Sequence, residues 1–170
     1  TVSTGEVTLG GDSAVIQNGK ISCSVSKSGG LEVFKEGRSI LKEYARDWRN
    51  LNEHSPSMKF SAREFKPVSG NDYAITARFE AQDGEKIYGM GQYQQPELDL
   101  KGCVLELAQR NSQISVPFYI SNKCYGFLCN NAGIGEVMFG KNYTQWRSRL
   151  TEELDYWITA DDTPKAVLAN

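Results

Sequence analysis

Two short stretches hold the side chains best suited to grip a ligand. One reads Gln92-Tyr93-Gln94-Gln95, the other Gln109-Arg110-Asn111-Ser112-Gln113. Amide and guanidinium groups form directional hydrogen bonds to hydroxyls, and a tyrosine face stacks on a sugar ring or another flat apolar surface. An ordinary polar loop followed by an outward strand face has the same composition. From these residues alone the two readings stand level.

The usual catalytic sets are missing or incomplete. The single histidine, His54, lies in the loop-like run Asn52-Glu53-His54-Ser55-Pro56 with no nucleophile elbow nearby, and it reads as a surface residue. One histidine argues against a His-rich zinc site and allows only one copy of any His-based machinery. Cys23, Cys103, Cys124 and Cys129 form no C-x-x-C pair and are too sparse for a disulfide scaffold. They read as reduced and mostly buried, which gives a cytoplasmic expectation. Gly89-Met90-Gly91-Gln92 opens like a dinucleotide fingerprint, but Gln94 holds the third glycine position and no helix pattern follows. Glycines that let a strand bend or bulge explain it better. Glu152-Glu153 and Asp161-Asp162 read as solvated or capping charges, and the sequon Asn142-Tyr143-Thr144 as chance. No motif calls for a metal or a cofactor.

The elements that must position these residues alternate with period two. Tyr73, Ile75, Ala77 and Phe79 share one face of a strand whose other face carries Thr76, Arg78 and Glu80. Ile21, Cys23 and Val25 alternate with serines. Ile114, Val116, Phe118 and Ile120 form a further set, expected to be buried, followed by Tyr125, Phe127 and Cys129 and by Leu154, Tyr156 and Ile158. Asn18-Gly19 between two such runs predicts a type I′ hairpin turn. Ser28-Gly29-Gly30, Glu36-Gly37, Gly70-Asn71 and Asp83-Gly84 punctuate the chain in the same manner. Residues 44–57 are polar and unpatterned, a surface excursion or short helix. The pattern is that of an all-β, antiparallel two-sheet sandwich.

Thr163-Pro164 then places an N-cap type before proline at the first helical position. A capped helix of barely two turns reads as the start of a longer element. The 170 residues suit one domain. With 19 basic and 21 acidic residues the net charge is −2, so no overall field favours nucleic acid or an anionic membrane. No apolar run approaches the roughly 20 residues of a spanning helix, and the start carries no basic-then-apolar leader.

Several ordered segments resemble glycoside hydrolase family 31, in its α-xylosidase/α-glucosidase-like branch. They are Ile87-Tyr88-Gly89-Met90-Gly91-Gln92-Tyr93-Gln94-Gln95, Leu98-Asp99-Leu100-Lys101-Gly102, and Gln109 through Phe118. Ser121 through Asn131 and Leu154 through Pro164 continue the match, which spans residues 87–164. Ala62 through Pro67 matches more loosely. Three positions depart from the pattern: Cys124 and Asp161 stand where glycine is common, and Cys129 where tryptophan is.

The resemblance implies a galactose-mutarotase-like β-sandwich over residues 1–162. Residues 163–170 would begin the helix that links it to a catalytic (β/α)₈ barrel outside this chain. The two catalytic aspartates of the family belong to that barrel, so the chain alone is expected to be inactive and to act on carbohydrate only within a retaining α-glycosidase. A loop of the family's sandwich reaches the mouth of the active site, and Gln109 to Gln113 is its match. Arg110, Asn111 and Gln113 are therefore the first substrate-binding candidates, and Gln92, Tyr93 and Gln94 the second set. A different class of function, an independent carbohydrate-binding module, needs an exposed aromatic platform; Trp48, Tyr93, Trp146 and Trp157 are its candidates, with Trp157 in a strand pattern that fits the core. An aldose epimerase would need more than one histidine.

Overall fold

The computed structural model describes residues 5–47 and 59–169. His54 and Trp48 lie outside the described residues, as does most of the 44–57 excursion. The first sheet runs in chain order through β1 (Glu6–Leu9), β2 (Ser13–Asn18), β3 (Ile21–Ser26), β4 (Leu31–Lys35) and β5 (Arg38–Lys42). A two-strand ribbon, β6 (Arg46–Asp47) with β7 (Lys59–Phe60), closes the base of the excursion.

The remaining strands are β8 (Arg63–Ser69), β9 (Asp72–Glu80), β10 (Ile87–Gln92), β11 (Val104–Leu107), β12 (Ile114–Ser121), β13 (Tyr125–Cys129), β14 (Gly135–Phe139), β15 (Tyr143–Thr151) and β16 (Tyr156–Ala160). They form a second sheet ordered β11-β14-β15-β9-β8 and a third ordered β10-β12-β13-β16. Every pairing is antiparallel. The fold is the all-β sandwich that the alternation implied.

Aromatic rings join the second and third sheets. Phe127 on β13 stacks on Trp146 of β15 at 5.2 Å and meets Phe79 of β9 edge-on at 5.3 Å. Tyr119 of β12 stacks on Phe127 at 5.6 Å. Val33, Ile40 and Leu41 of the first sheet complete the core. Trp146 is therefore core and offers no platform.

Two local expectations are corrected. In the β2–β3 hairpin Asn18 pairs with Ile21, so Gly19 and Lys20 form the turn. Only Gly19 has positive φ, 59°, which excludes type I′ and matches the type II′ pattern. The type I′ signature appears instead at Glu36 and Gly37, with φ 48° and 81°. The second correction concerns β12. Ser115, Tyr119 and Ser121 are buried, whereas Ile114 and Val116 are 55% and 44% exposed. The strand presents its most apolar face outward, opposite to expectation.

The chain closes with α1 (Pro164–Ala169). Thr163 Oγ1 accepts a hydrogen bond from the Ala166 amide at 3.2 Å, the cap that the sequence predicted. No helix among the described residues is long and apolar enough to cross a membrane.

Candidate functional site

The two polar stretches are brought together by one strand pairing. β10 pairs with β12 so that Gly91 opposes Ser115 and Gln92 opposes Ile114. This puts the residues after β10 beside those before β12. Between Gly89 and Gly91 the register shifts. Gly89, Met90 and Gly91 all have positive φ, and a Cβ at Gly91 would collide with the Ile114 carbonyl. Glycine is required there by geometry, and the bulge turns Met90 into the core, where it is fully buried. The dinucleotide-like motif is thus a bent strand.

The second stretch is a tight hairpin. Arg110 and Gln113 pair across Asn111-Ser112, with the Gln113 amide donating to the Arg110 carbonyl at 3.1 Å and Ser112 at φ 70°. The Gln109 side chain holds the hairpin to β12. Its Nε2 donates to the Ser115 carbonyl at 2.7 Å and its Oε1 accepts from the Ser115 amide at 3.1 Å.

Around this junction Tyr93, Gln94, Gln95, Asn111, Ser112 and Gln113 line a shallow pocket of about 170 Å³. Four of the six candidates, Tyr93, Gln94, Asn111 and Gln113, thereby meet at one place. Gln92 and Arg110 flank it without lining it.

The candidates are unequally free. The Tyr93 hydroxyl lies 2.9 Å from the Glu106 carbonyl and 2.8 Å from Ser115 Oγ, bonds that turn it inward. Burial pushes its pKa above the ordinary phenol value. Gln113 Nε2 donates to the Ala108 carbonyl at 3.2 Å. Arg110 already uses its fork: Nε and one terminal nitrogen donate to the two Glu106 oxygens at 2.9 and 2.7 Å. That pair holds the Glu106 carboxyl below its usual range and raises the guanidinium pKa. Asn111 and Gln94 are exposed at the rim. Sequence reasoning missed Glu106, Gln109 and Ser115 as the positioning residues. The four-residue spacing of Glu106 and Arg110 was the available signal.

A second cleft, about 690 Å³, lies on the outer face of the third sheet. Phe118, Leu128, Trp157, Val167 and Leu168 form its apolar part. Trp157 is 66% exposed, so its strand pattern does not bury it, and it is the one candidate platform ring that stands in the open among the described residues. At the cleft's edge Lys20 Nζ meets Asp162 Oδ2 at 2.5 Å and Asp161 Oδ1 at 3.2 Å, and Lys35 Nζ meets Asp162 Oδ1 at 3.1 Å. These ions tie the β2–β3 turn and the end of β4 to the turn that starts α1. Lys20 and then Lys35 hold the Asp162 carboxyl below its usual range.

Among the described residues no cluster of His, Cys, Asp or Glu has the makings of a metal site. The four cysteines are unpaired.

Residues 2–137 match the family described as the glycosyl hydrolase 31 N-terminal galactose mutarotase-like domain. An uncharacterized family 31 glucosidase, ORF2, of Pseudescherichia vulneris is 48% identical over 168 residues, covering 93% of this chain and 32% of that protein. Alpha-xylosidase A of Aspergillus niger is 28% identical over 155 residues, covering 90% of this chain and 21% of that protein. The crystal structure of a family 31 α-xylosidase from a soil metagenome, complexed with xylose, superposes with a TM-score of 0.90 at 48% identity. It covers 98% of this chain and 26% of that one. The chain thus spans between a fifth and a third of the relatives it matches.

Proposed function

The chain belongs to glycoside hydrolase family 31 as its N-terminal galactose-mutarotase-like domain, and from that premise we propose that it is the non-catalytic sandwich of a retaining α-glycosidase. It supports the catalytic barrel and lends side chains to the mouth of the active site. The observation that carries this reading is the meeting of Gln94, Asn111 and Gln113 at the β10–β12 junction. A pocket of about 170 Å³ is smaller than the roughly 300–1,000 Å³ of a complete ligand site. It suits a surface that touches one end of a sugar while another part of the enzyme encloses the rest. The proposed substrate class is an α-xyloside or α-glucoside, in keeping with relatives named α-xylosidase and family 31 glucosidase. The unpaired cysteines support a cytoplasmic enzyme.

Because Arg110 is engaged by Glu106 and Tyr93 is turned inward, Asn111 and Gln94 are the side chains best placed to reach a hydroxyl. Losing one neutral hydrogen bond costs about 0.5–1.5 kcal/mol. Asn111→Ala in the full-length enzyme should therefore lower kcat/KM a few-fold to about tenfold with an unchanged melting temperature. A lower melting temperature with unchanged kinetics removes Asn111 from the site. The chain by itself should turn over neither an aryl α-xyloside nor an aryl α-glucoside.

Trp157 favours a second reading, an independent carbohydrate-binding module that stacks a sugar in the 690 Å³ cleft. Quenching of tryptophan emission in the 170-residue chain by xylose or glucose, lost in Trp157→Ala, would establish it.

A further inference from the structure

We propose that Tyr93, Glu106 and Ser115 are positioning residues: with Gln109 and Arg110 they close a ring of hydrogen bonds that sets the span between the two sugar-facing amides, Gln94 and Asn111. The inference rests on the proposed function, which supplies the substrate, and it places Tyr93 behind the rim rather than on it.

The proton order around the ring follows from valence. The Tyr93 hydroxyl oxygen lies 2.9 Å from the Glu106 carbonyl and 2.8 Å from Ser115 Oγ. A phenol has one proton, and a carbonyl can only accept. Tyr93 therefore donates to Glu106, and Ser115 donates to Tyr93. The backbone of Ser115 is held in turn by Gln109, whose Nε2 donates to the Ser115 carbonyl at 2.7 Å and whose Oε1 accepts from the Ser115 amide at 3.1 Å. Arg110, the next residue, returns to Glu106 through two bonds to its carboxylate, at 2.9 and 2.7 Å. The circuit runs from Tyr93 to Glu106, Arg110, Gln109, Ser115 and back, with the Gln109–Arg110 peptide as its one covalent link between residues.

The ring joins parts of the sandwich that no ladder connects. Glu106 lies on β11 of the second sheet and Ser115 on β12 of the third, while Tyr93 follows the last residue of β10. β11 and β12 share no pairing, and the Tyr93 hydroxyl spans them. Ser115 is buried and the Tyr93 ring packs against the core, a setting in which such bonds are stronger than in water.

Each rim side chain leaves the ring by one peptide bond and a tight turn. Gln94 follows Tyr93, and the Gln95 amide donates back to the Tyr93 carbonyl at 3.1 Å. Asn111 follows Arg110, and the Gln113 amide donates back to the Arg110 carbonyl at 3.1 Å. Both side chains are exposed, and neither spends its amide on a hydrogen bond among the described residues. The free groups and the fixed frame are thus neighbours in the chain. The separation of the two amides becomes a property of the ring, and a ligand that meets them need not order the two loops itself. The ring also accounts for Arg110, the strongest ligand-binding type in its segment: its guanidinium is a strut.

The experiment uses the full-length enzyme and whichever of an aryl α-xyloside and an aryl α-glucoside it hydrolyses. Tyr93→Phe keeps the packed ring and removes the hydroxyl. It should raise KM about three- to tenfold and leave kcat within about twofold, since the rim holds ground state and transition state alike. The same substitution is then made where both rim amides are gone, in Gln94→Ala with Asn111→Ala. There it should change KM by less than about twofold, because nothing is left to position. A loss of stability alone acts equally in both backgrounds. Equal rises of KM in the two backgrounds, or an unchanged KM in the first, overturn the role of the ring and leave the rim standing where the amide-less variant is itself impaired. An amide-less variant as active as the parent overturns the rim and the ring with it, and hydrolysis of neither glycoside overturns the proposed function. Each of those two failures is read from a protein in which Tyr93 is intact. Ser115→Ala is the second variant, used where Tyr93→Phe does not fold. It removes the donor behind Tyr93, leaves the bond from Tyr93 to Glu106, and should raise KM about two- to threefold only while the rim amides are present. A rise that ignores the background overturns the proposal.

Discussion

β9 and β12 look alike as sequence and face opposite ways. Both alternate apolar with other residues. In β9 the apolar set, Ile75, Ala77 and Phe79, is buried as expected. In β12 the aliphatic set looks outward, and the core takes Tyr119 with two serines. The difference lies in what waits inside. β9 meets the rings of Phe127 and Tyr156, an apolar environment. β12 meets Glu85, whose carboxylate needs donors: Ser121 Oγ supplies one at 2.7 Å and the Tyr125 hydroxyl another at 2.6 Å, while Lys101 Nζ lies 3.2 Å from its other oxygen. Alternation reveals that a strand has two faces. Which face turns inward depends on partners distant in sequence.

The comparison breaks most sharply under truncation. Phe127→Ala removes a fully buried ring that touches Tyr119, Trp146 and Tyr156 and should cost about 3–5 kcal/mol, read as a urea midpoint. Val116→Ala, on the outward face of β12, should cost less than about 1 kcal/mol in the 170-residue chain. Equal losses would mean that β12 is turned the other way.

Next in size is the polar interior of β12. Glu85→Ala leaves Lys101, Ser121 and Tyr125 without their acceptor and should destabilise by about 3 kcal/mol, somewhat relieved because the lysine keeps partial access to water. Tyr125→Phe removes one donor while Ser121 and Lys101 remain, and about 1 kcal/mol is expected. Burial is the first cause that drives the Tyr125 and Tyr119 pKa values well above the ordinary phenol value. A loss for Glu85→Ala no larger than for Tyr125→Phe would show that the carboxylate does not organise this face.

Much of the fold was legible. The strands around Tyr73–Phe79 and Tyr125–Cys129, the turns at Glu36-Gly37 and Gly70-Asn71, and the Thr163 cap all follow from local chemistry. The orientation of β12 did not, because Glu85 sits 36 residues before the Ser121 that it bonds and the serines of β12 resemble surface residues. The site was legible only in halves. Each polar stretch is visible alone, but their meeting depends on the Gly91–Ser115 pairing and the bulge at Met90. Arg110 was readable as a ligand-binding residue from its type, yet Glu106, four residues earlier on β11, takes its fork.

A buried carboxylate also stands beside β9, and its environment gives a pH signature. Glu43 bridges to Phe79, its side chain pairs with Arg63 Nε at 2.9 Å, and it accepts from the Leu31 amide at 3.0 Å. Burial raises its pKa, and the Leu31 bond and the Arg63 charge only partly oppose the rise. The folded state therefore binds this proton more tightly than the unfolded chain. The associated stability is complete below the ordinary carboxylate value and is lost as pH rises through the raised one. Glu43→Gln has no such loss, so its stability relative to the unaltered chain should increase between about pH 4 and 7. Urea midpoints of both proteins across that range test it; a difference that falls with pH would reverse the assignment.

The smallest effect concerns the turn that sets β12 against β13. Ser121 pairs with Tyr125, leaving Asn122, Lys123 and Cys124 as a three-residue loop. Cys124 donates its amide to the Ser121 carbonyl at 3.0 Å and holds φ at 61°. Such loops end on a left-handed residue, for which glycine is the unstrained choice. A side chain there costs about 1–2 kcal/mol. Glycine gives back about 0.4–1 kcal/mol of that through the larger freedom of the unfolded chain. Cys124→Gly should thus stabilise by only a few tenths to about 1 kcal/mol, close to what one midpoint can resolve. The sharper measure is Cys124→Gly against Cys124→Ala. Both lose the thiol, and only alanine keeps the strained Cβ. Glycine should be the more stable by about 1 kcal/mol, the reverse of its usual rank below alanine. If alanine equals or exceeds glycine, the left-handed turn is wrong, and with it the register that turns the apolar side of β12 outward.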